Sequence, residues 1–186
     1  MNRIIVLLLI GLLLLAGYLF CSDLDPRYHS KEEVRWQIPL GRSYDYSNVL
    51  VTRVVDGDTL VLENNERVRL IGIDTPEMHE SYKLTRDAQR SGNDEAVIKQ
   101  MGRQAYEFTK KLVEGKHVRL EFDVERYDKY KRILAYVYLK DGTFVNAEIV
   151  AQGYASLLTY PPNVKYADLF LRLYQEARKN QRGLWK

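Results

Sequence analysis

Hydrophobic positions along this chain change their rhythm twice. Residues 4–20 are apolar, interrupted only by glycines. Residues 23–46 are polar and carry Pro26, Pro39 and Gly41, the composition of a linker, with Trp36 and Ile38 expected to pack on a domain edge. From residue 47 onward, short apolar runs alternate with turn residues. Residues 48–55, 59–63 and 67–73 read as three consecutive strands, turned at Asp56-Gly57 and Asn64-Asn65. Residues 79–100 are strongly polar and read as an excursion from the core with short helical pieces, least structured at Ser91-Gly92-Asn93-Asp94. Met101, Ala105, Phe108 and Leu112 then recur at four, three and four residues, one apolar helix face that Gly115 stops. Val118, Leu120, Phe122 and Val124 alternate as a fourth strand, and 133–139 is the fifth, turned by Asp141-Gly142. Residues 145–152 predict a short helix ended by Gly153. Residues 164–180 predict the last helix, with Tyr166, Leu169, Phe170, Leu173 and Ala177 inward, and Trp185 sealing a core edge.

Five short strands, a helix between the third and fourth, and helices at the end predict an α+β fold. The expected architecture is a five-stranded OB-fold β-barrel with about three helices, preceded by an N-terminal hydrophobic helix. Three regions follow: residues 1–22 as a membrane anchor or signal segment, 23–46 as a linker, and 47–186 as the folded domain. Such barrels bind oligonucleotides on one face, although the fold alone proves no function.

The uniform apolar run lacks the polar face that a helix of a soluble domain would keep. As a helix it is about 25 Å long, slightly short of the ~30 Å hydrocarbon core of a bilayer. Arg3 precedes it and Ser22-Asp23-Leu24-Asp25-Pro26 follows, so the positive-inside rule sends the rest of the chain outward. Leu19 and Phe20 crowd the position before Cys21 and leave no clean cleavage site. An uncleaved anchor is therefore expected, with cleavage and secretion, or lipidation at Cys21, as the alternatives. In each case the domain works outside the cytoplasm.

Composition changes this picture little. A net charge of only +3 means that bulk charge does not argue for nucleic acid, so any attraction must be local. The single cysteine excludes an intramolecular disulfide, and the fold must stand on its core. Of the 14 tyrosines, one or two are available to stack on bases. His29, His79 and His117 have no spacing suited to zinc. The basic run Arg178-Lys179-Asn180-Gln181-Arg182 reads as a solvated helix end.

The chemistry concentrates in three motifs. Asp56-Gly57-Asp58-Thr59 and Arg69-Leu70-Ile71-Gly72-Ile73-Asp74-Thr75-Pro76-Glu77 put carboxylates and a guanidinium at the ends of strand-like runs. Asp58, Asp74 and Glu77 offer hard oxygen ligands and a base, and Arg69 can face a phosphate, a combination that fits metal-assisted phosphodiester cleavage. Asp128-Lys129-Tyr130-Lys131-Arg132 adds a second phosphate-binding arginine. Taken singly, each motif is ordinary: Asp56-Gly57 is a hairpin signal, Thr75-Pro76-Glu77 a loop, and lone arginines are usually solvated.

Residues 51–185 resemble the staphylococcal nuclease (thermonuclease) family, on these motifs and on the closing Gly183-Leu184-Trp185. The resemblance implies a calcium-dependent phosphodiesterase acting on DNA and RNA, cutting between phosphorus and the 5′ oxygen to leave 3′-phosphate ends. Asp58, Asp74 and the Thr75 backbone carbonyl match the chemistry of Ca²⁺ ligands. Glu77 is expected as general base or water-orienting group, and Arg69 and Arg132 as the grip on the equatorial phosphate oxygens. Lys129 and Tyr130 match family positions that contact a terminal phosphate, and Tyr160 one of two tyrosines near the base pocket. Asp56 is open between the metal's outer shell and holding the turn. The expected partners are a DNA or RNA substrate and the membrane through the N-terminal segment, and the protein is read as a monomer.

Three departures from the family bear on substrate preference. Lys131 stands where a glycine usually lies, Leu158 replaces the other base-pocket tyrosine, and the 79–100 segment is longer than its counterpart. The rival reading is a non-catalytic OB module that binds nucleic acid or protein. Asp58, Asp74, Glu77, Arg69 and Arg132 are all present, which favours the enzyme.

Overall fold

A computed structural model describes residues 44–92 and 94–186. The hydrophobic segment and most of the linker, with Trp36 and Ile38, lie outside the described residues. Among those described, no helix is long and apolar enough to cross a membrane.

Strand β1 (Val49–Asp56) pairs antiparallel with β2 (Thr59–Leu62), and β2 with β3 (Arg67–Leu70). Helices α1 (Tyr82–Ser91) and α2 (Glu95–Val113) intervene before β5 (His117–Glu121) and β6 (Ile133–Leu139). β6 lies parallel to β3 and antiparallel to β5, and β5 returns to β1, closing a five-stranded barrel with no open edge. The inward side chains of this ring, among them Val49, Val51, Leu60, Leu62, Val68, Leu70 and Val137, are fully buried and form the core. Tyr46, ahead of residue 47, joins them. Helix α3 (Val145–Ala151), strand β7 (Ser156–Leu158), helix α4 (Ala167–Lys179) and a 3₁₀ turn at Gly183–Trp185 complete the chain. Tyr136 of β6 meets Tyr166 edge-on at 4.6 Å between ring centres, and Phe144 meets Tyr166 at 4.9 Å, aromatic contacts that hold α4 on the barrel.

The α+β barrel is as expected, with four α-helices among the described residues where about three were anticipated. Four details differ. The third strand divides after Leu70, and β4 (Gly72–Asp74) leaves the barrel to pair antiparallel with β7, a strand the pattern did not suggest. Gly72 makes this possible: its φ is +83°, and a Cβ there would lie 2.5 Å from the Phe170 ring. The buried amide of Asn146 spans the break, donating to the Ile71 carbonyl at 3.0 Å and accepting from the Val137 N–H at 3.0 Å. Second, the polar excursion contains the ten-residue helix α1, capped by the Ser81 hydroxyl on the Leu84 N–H and stopped by left-handed Gly92.

Third, helix α2 begins before Met101, and its buried stripe is Ile98, Gly102, Ala105, Thr109 and Val113, with Phe108 and Leu112 flanking the core. Fourth, β5 ends at Glu121, so Val124 is exposed.

Candidate active site

The turn between β1 and β2 carries Asp56 and Asp58, and the end of β4 carries Asp74 and Thr75. β3 places Arg69 between them. Asp58 is buried, and one of its oxygens, Oδ2, accepts the Thr75 N–H at 2.9 Å and the Thr75 hydroxyl at 3.1 Å. The Thr59 hydroxyl donates to the other oxygen at 3.1 Å. The Arg69 guanidinium reaches Asp58 at 2.8 Å and Asp74 at 2.9 Å. It is buried, not the solvated strand residue that a lone arginine suggests. Asp56 does hold the turn, accepting the Asp58 N–H at 3.1 Å. Burial and the neighbouring Asp58 charge push the Asp56 carboxyl up to about 7.

A cleft of about 440 Å³ opens beside this cluster, lined by Arg69, Lys129, Tyr130, Arg132, Leu158 and Tyr160 among others. The two arginines and the three expected substrate contacts therefore share one cavity, although they come from β3, from the 128–132 loop and from the segment after β7. Asp128 organises that loop. Its Oδ1 accepts the N–H groups of Tyr130 and Arg132 at 2.8 and 2.9 Å, and its Oδ2 binds the Arg132 guanidinium at 2.7 Å. Burial opposes its ionisation, but the Arg132 N–H and guanidinium prevail and hold the carboxyl below its ordinary range. Lys131 takes a positive φ of +63°, a backbone conformation that favours glycine. Leu158 and Tyr160 are both exposed at the cleft.

Glu77 lines neither this cleft nor a smaller cavity of about 160 Å³ that Asp74 and Thr75 line. The smaller cavity brings Asp87 of α1 close to Asp74 and Thr75, a neighbour absent from the sequence reading. Also missed were three buried polar side chains that fix the loops. Asn163 exchanges two hydrogen bonds with the Glu125 backbone at 2.8 and 2.9 Å, Asn146 spans the β3–β4 break, and Thr109 donates to the Gly57 carbonyl at 2.8 Å. A polar residue inside an apolar helical stripe was the available signal for Thr109.

Among the described residues, no three carboxylate, imidazole or thiol side chains converge as a ready metal cage. What comes together is a pair of hard-oxygen donors, Asp58 and Asp74, on the Arg69 guanidinium, with the Thr75 backbone bonded to Asp58. The donor set suits a hard divalent ion that completes its shell with carbonyl and water oxygens.

Comparison with known proteins agrees with this geometry. Residues 67–186 match the family model of staphylococcal nuclease homologues. The chain is 40% identical over 149 residues to a thermonuclease of Staphylococcus intermedius, covering 78% of this chain and 77% of that one. It is 32% identical over 138 residues to the thermonuclease of Staphylococcus hyicus, covering 73% of each. It is also 35% identical over 143 residues to the endonuclease YncB of Bacillus subtilis, covering 74% of this chain and 61% of the relative. The family match and these relatives mark the chain as an OB-barrel hydrolase of nucleic acids. The chain belongs to the staphylococcal nuclease family and is a nuclease.

Proposed function

We propose that this protein is a calcium-dependent endonuclease that hydrolyses DNA, RNA or both at the P–O5′ bond and leaves 3′-phosphate ends. The observation that carries the reading is the contact of Arg69 with both Asp58 and Asp74 at the wall of a cleft that Arg132 also lines. Asp58, Asp74 and the Thr75 carbonyl would hold Ca²⁺, which when bound supplies a Lewis acid at the phosphate. Contacts with Asp58, Asp74 and Leu70 occupy three of the five N–H groups of a guanidinium, so Arg69 retains capacity for a phosphate oxygen.

Arg69 and Arg132 oppose charge that grows on the equatorial oxygens as the bond breaks, so both act chiefly on turnover. Glu77, although it lines neither cavity here, is the group proposed to orient a water or take its proton. Lys129 and Tyr130 grip a terminal phosphate at the cleft mouth, and Tyr160 offers an exposed ring to a base. With Leu158 lining the same cleft, base stacking is weaker than two tyrosines would give. The domain acts outside the cytoplasm, anchored through residues 4–20 or secreted if they are cleaved, where calcium is abundant and the chromosome is absent.

Calcium-titrated digestion of single- and double-stranded DNA and of RNA by the full chain tests the chemistry. Cleavage should require calcium and leave ends sensitive to a 3′-phosphatase, and Asp74→Ala should lose it at limiting calcium while staying folded. Chelator-resistant cleavage, or full activity in Asp74→Ala, contradicts the reading. No cleavage under any condition favours the binding module. Protease added to intact cells should digest the domain, and finding it soluble in the cytoplasm with residues 1–20 intact would refute export.

A further inference from the structure

We propose that helix α2 sets the spacing between the two acid-bearing loops, with Thr109 and Gly102 as its positioning residues. The inference rests on the calcium-nuclease reading above and adds two residues to it. Thr109 and Gly102 lie seven residues apart on the buried face of α2, two turns of helix or about 10.5 Å along its axis. Each touches a different loop of the site.

Thr109 is fully buried, and its hydroxyl donates to the Gly57 carbonyl at 2.8 Å. A helical threonine ordinarily bonds a carbonyl of its own preceding turn. This one leaves its helix and holds the middle of the turn that presents Asp56 and Asp58. Two turns earlier, a Cβ on Gly102 would lie 2.6 Å from the carbonyl carbon and oxygen of Glu77 and 2.7 Å from the Pro76 oxygen. Glycine within a helix is unfavourable, and alanine would serve the apolar stripe better. The glycine is needed because the backbone of the Glu77 loop passes against the helix.

The helix is itself anchored where α2 ends. The Gly115 N–H donates to the Val51 carbonyl at 2.8 Å, the Val51 N–H to the Lys116 carbonyl at 2.9 Å, and the Val54 N–H to the Glu114 carboxylate at 2.9 Å. β1, which leads into the Asp56–Asp58 turn, is thus fixed to the helix that supports the Glu77 loop. Neither Thr109 nor Gly102 touches a reacting atom. They position Asp58 and Glu77 respectively, so their loss should separate two properties of the enzyme. Releasing the turn should weaken calcium binding, and displacing the Glu77 loop should slow turnover.

Thr109→Val, Thr109→Ser and Gly102→Ala in the full chain test this, with calcium affinity by calorimetry, kcat and KM on a DNA substrate, and Tm for folding. Thr109→Val should raise the calcium dissociation constant about tenfold, the scale of one lost hydrogen bond, and Thr109→Ser should restore it. Gly102→Ala should lower kcat about 100-fold, as a displacement near 1 Å does, with calcium affinity unchanged. Wild-type calcium affinity in Thr109→Val, failure of Thr109→Ser to restore it, or wild-type turnover in Gly102→Ala would overturn the inference. If Gly102→Ala does not fold, the Thr109 pair decides alone. Wild-type protein that binds no calcium would instead refute the calcium-nuclease reading, and the inference with it, before any variant is compared.

Discussion

Adding one methyl group at Gly57 should cost far more than a surface turn normally would. Gly57 is not held at positive φ, so contact rather than backbone strain sets the effect. A Cβ there would lie 2.7, 2.8 and 2.9 Å from Thr75 Cγ2, Oγ1 and Cβ, against an ordinary contact of 3.4–4 Å. Thr75 is buried and must retreat by roughly half an ångström or more, which stretches the 2.9 and 3.1 Å bonds it donates to Asp58. Overpacking costs about 1–3 kcal/mol, and each weakened bond to a carboxylate forfeits part of about 1.5–3 kcal/mol. With partial relaxation, Gly57→Ala should lose about 2–4 kcal/mol. At about 2–4 °C per kcal/mol, Tm should fall by roughly 5–15 °C. Thermal and urea denaturation measure the loss, and a double-mutant cycle identifies its cause. Thr75→Ala removes the two nearest atoms, so it should be less harmful in the Gly57→Ala background than alone, with a coupling of about 0.5–3 kcal/mol. An unchanged Tm in Gly57→Ala, or strict additivity of the pair, would refute the reasoning.

Two further outcomes are expected. Lys131→Gly removes a left-handed conformation that costs a side-chain residue about 1–2 kcal/mol, less the greater chain entropy of glycine, and should stabilise the domain by about 0.5–1 kcal/mol in urea unfolding. A loss of stability would mean that the Lys131 side chain holds the loop. Asp128 has a depressed carboxyl, so its contribution is present above the unfolded value near 3.9 and disappears as pH falls through the lower folded value. The Tm gap between wild type and Asp128→Asn should therefore be full near neutrality and close below about pH 4. A gap that persists in acid would refute the ion-pair account.

The barrel strands were legible because each buries one face against a shared core, and that leaves alternation in the sequence. The division of the third strand was not. Residues 67–73 read as one run, and what breaks them is the Phe170 ring against Gly72, a contact almost a hundred residues away. Helix α1 escaped for a different reason. Leu84 is its one fully buried side chain among those described, so no periodicity marks it, although Ser81 and Gly92 do carry capping signals. In the site, the carboxylates and arginines stood out because their types and spacing suit phosphodiester chemistry. Thr109, Asn146 and Asn163 did not, because their partners are backbone groups that only the folded chain brings near. The burial of Arg69 was hidden for the same reason: its two carboxylate partners lie on separate loops.

Asp58 and Asp74 are proposed to hold the calcium on which cleavage depends. Tm measured against calcium concentration, for wild type and for the Asp58→Asn, Asp74→Asn double variant, tests this most directly. A ligand that binds only the folded state stabilises it by about 2.7 kcal/mol at a hundredfold excess over its dissociation constant. Wild-type Tm should therefore climb with calcium, while the double variant, folded at the outset, should stay flat and cleave no DNA. An equal rise in both proteins would place the ion elsewhere and contradict the account.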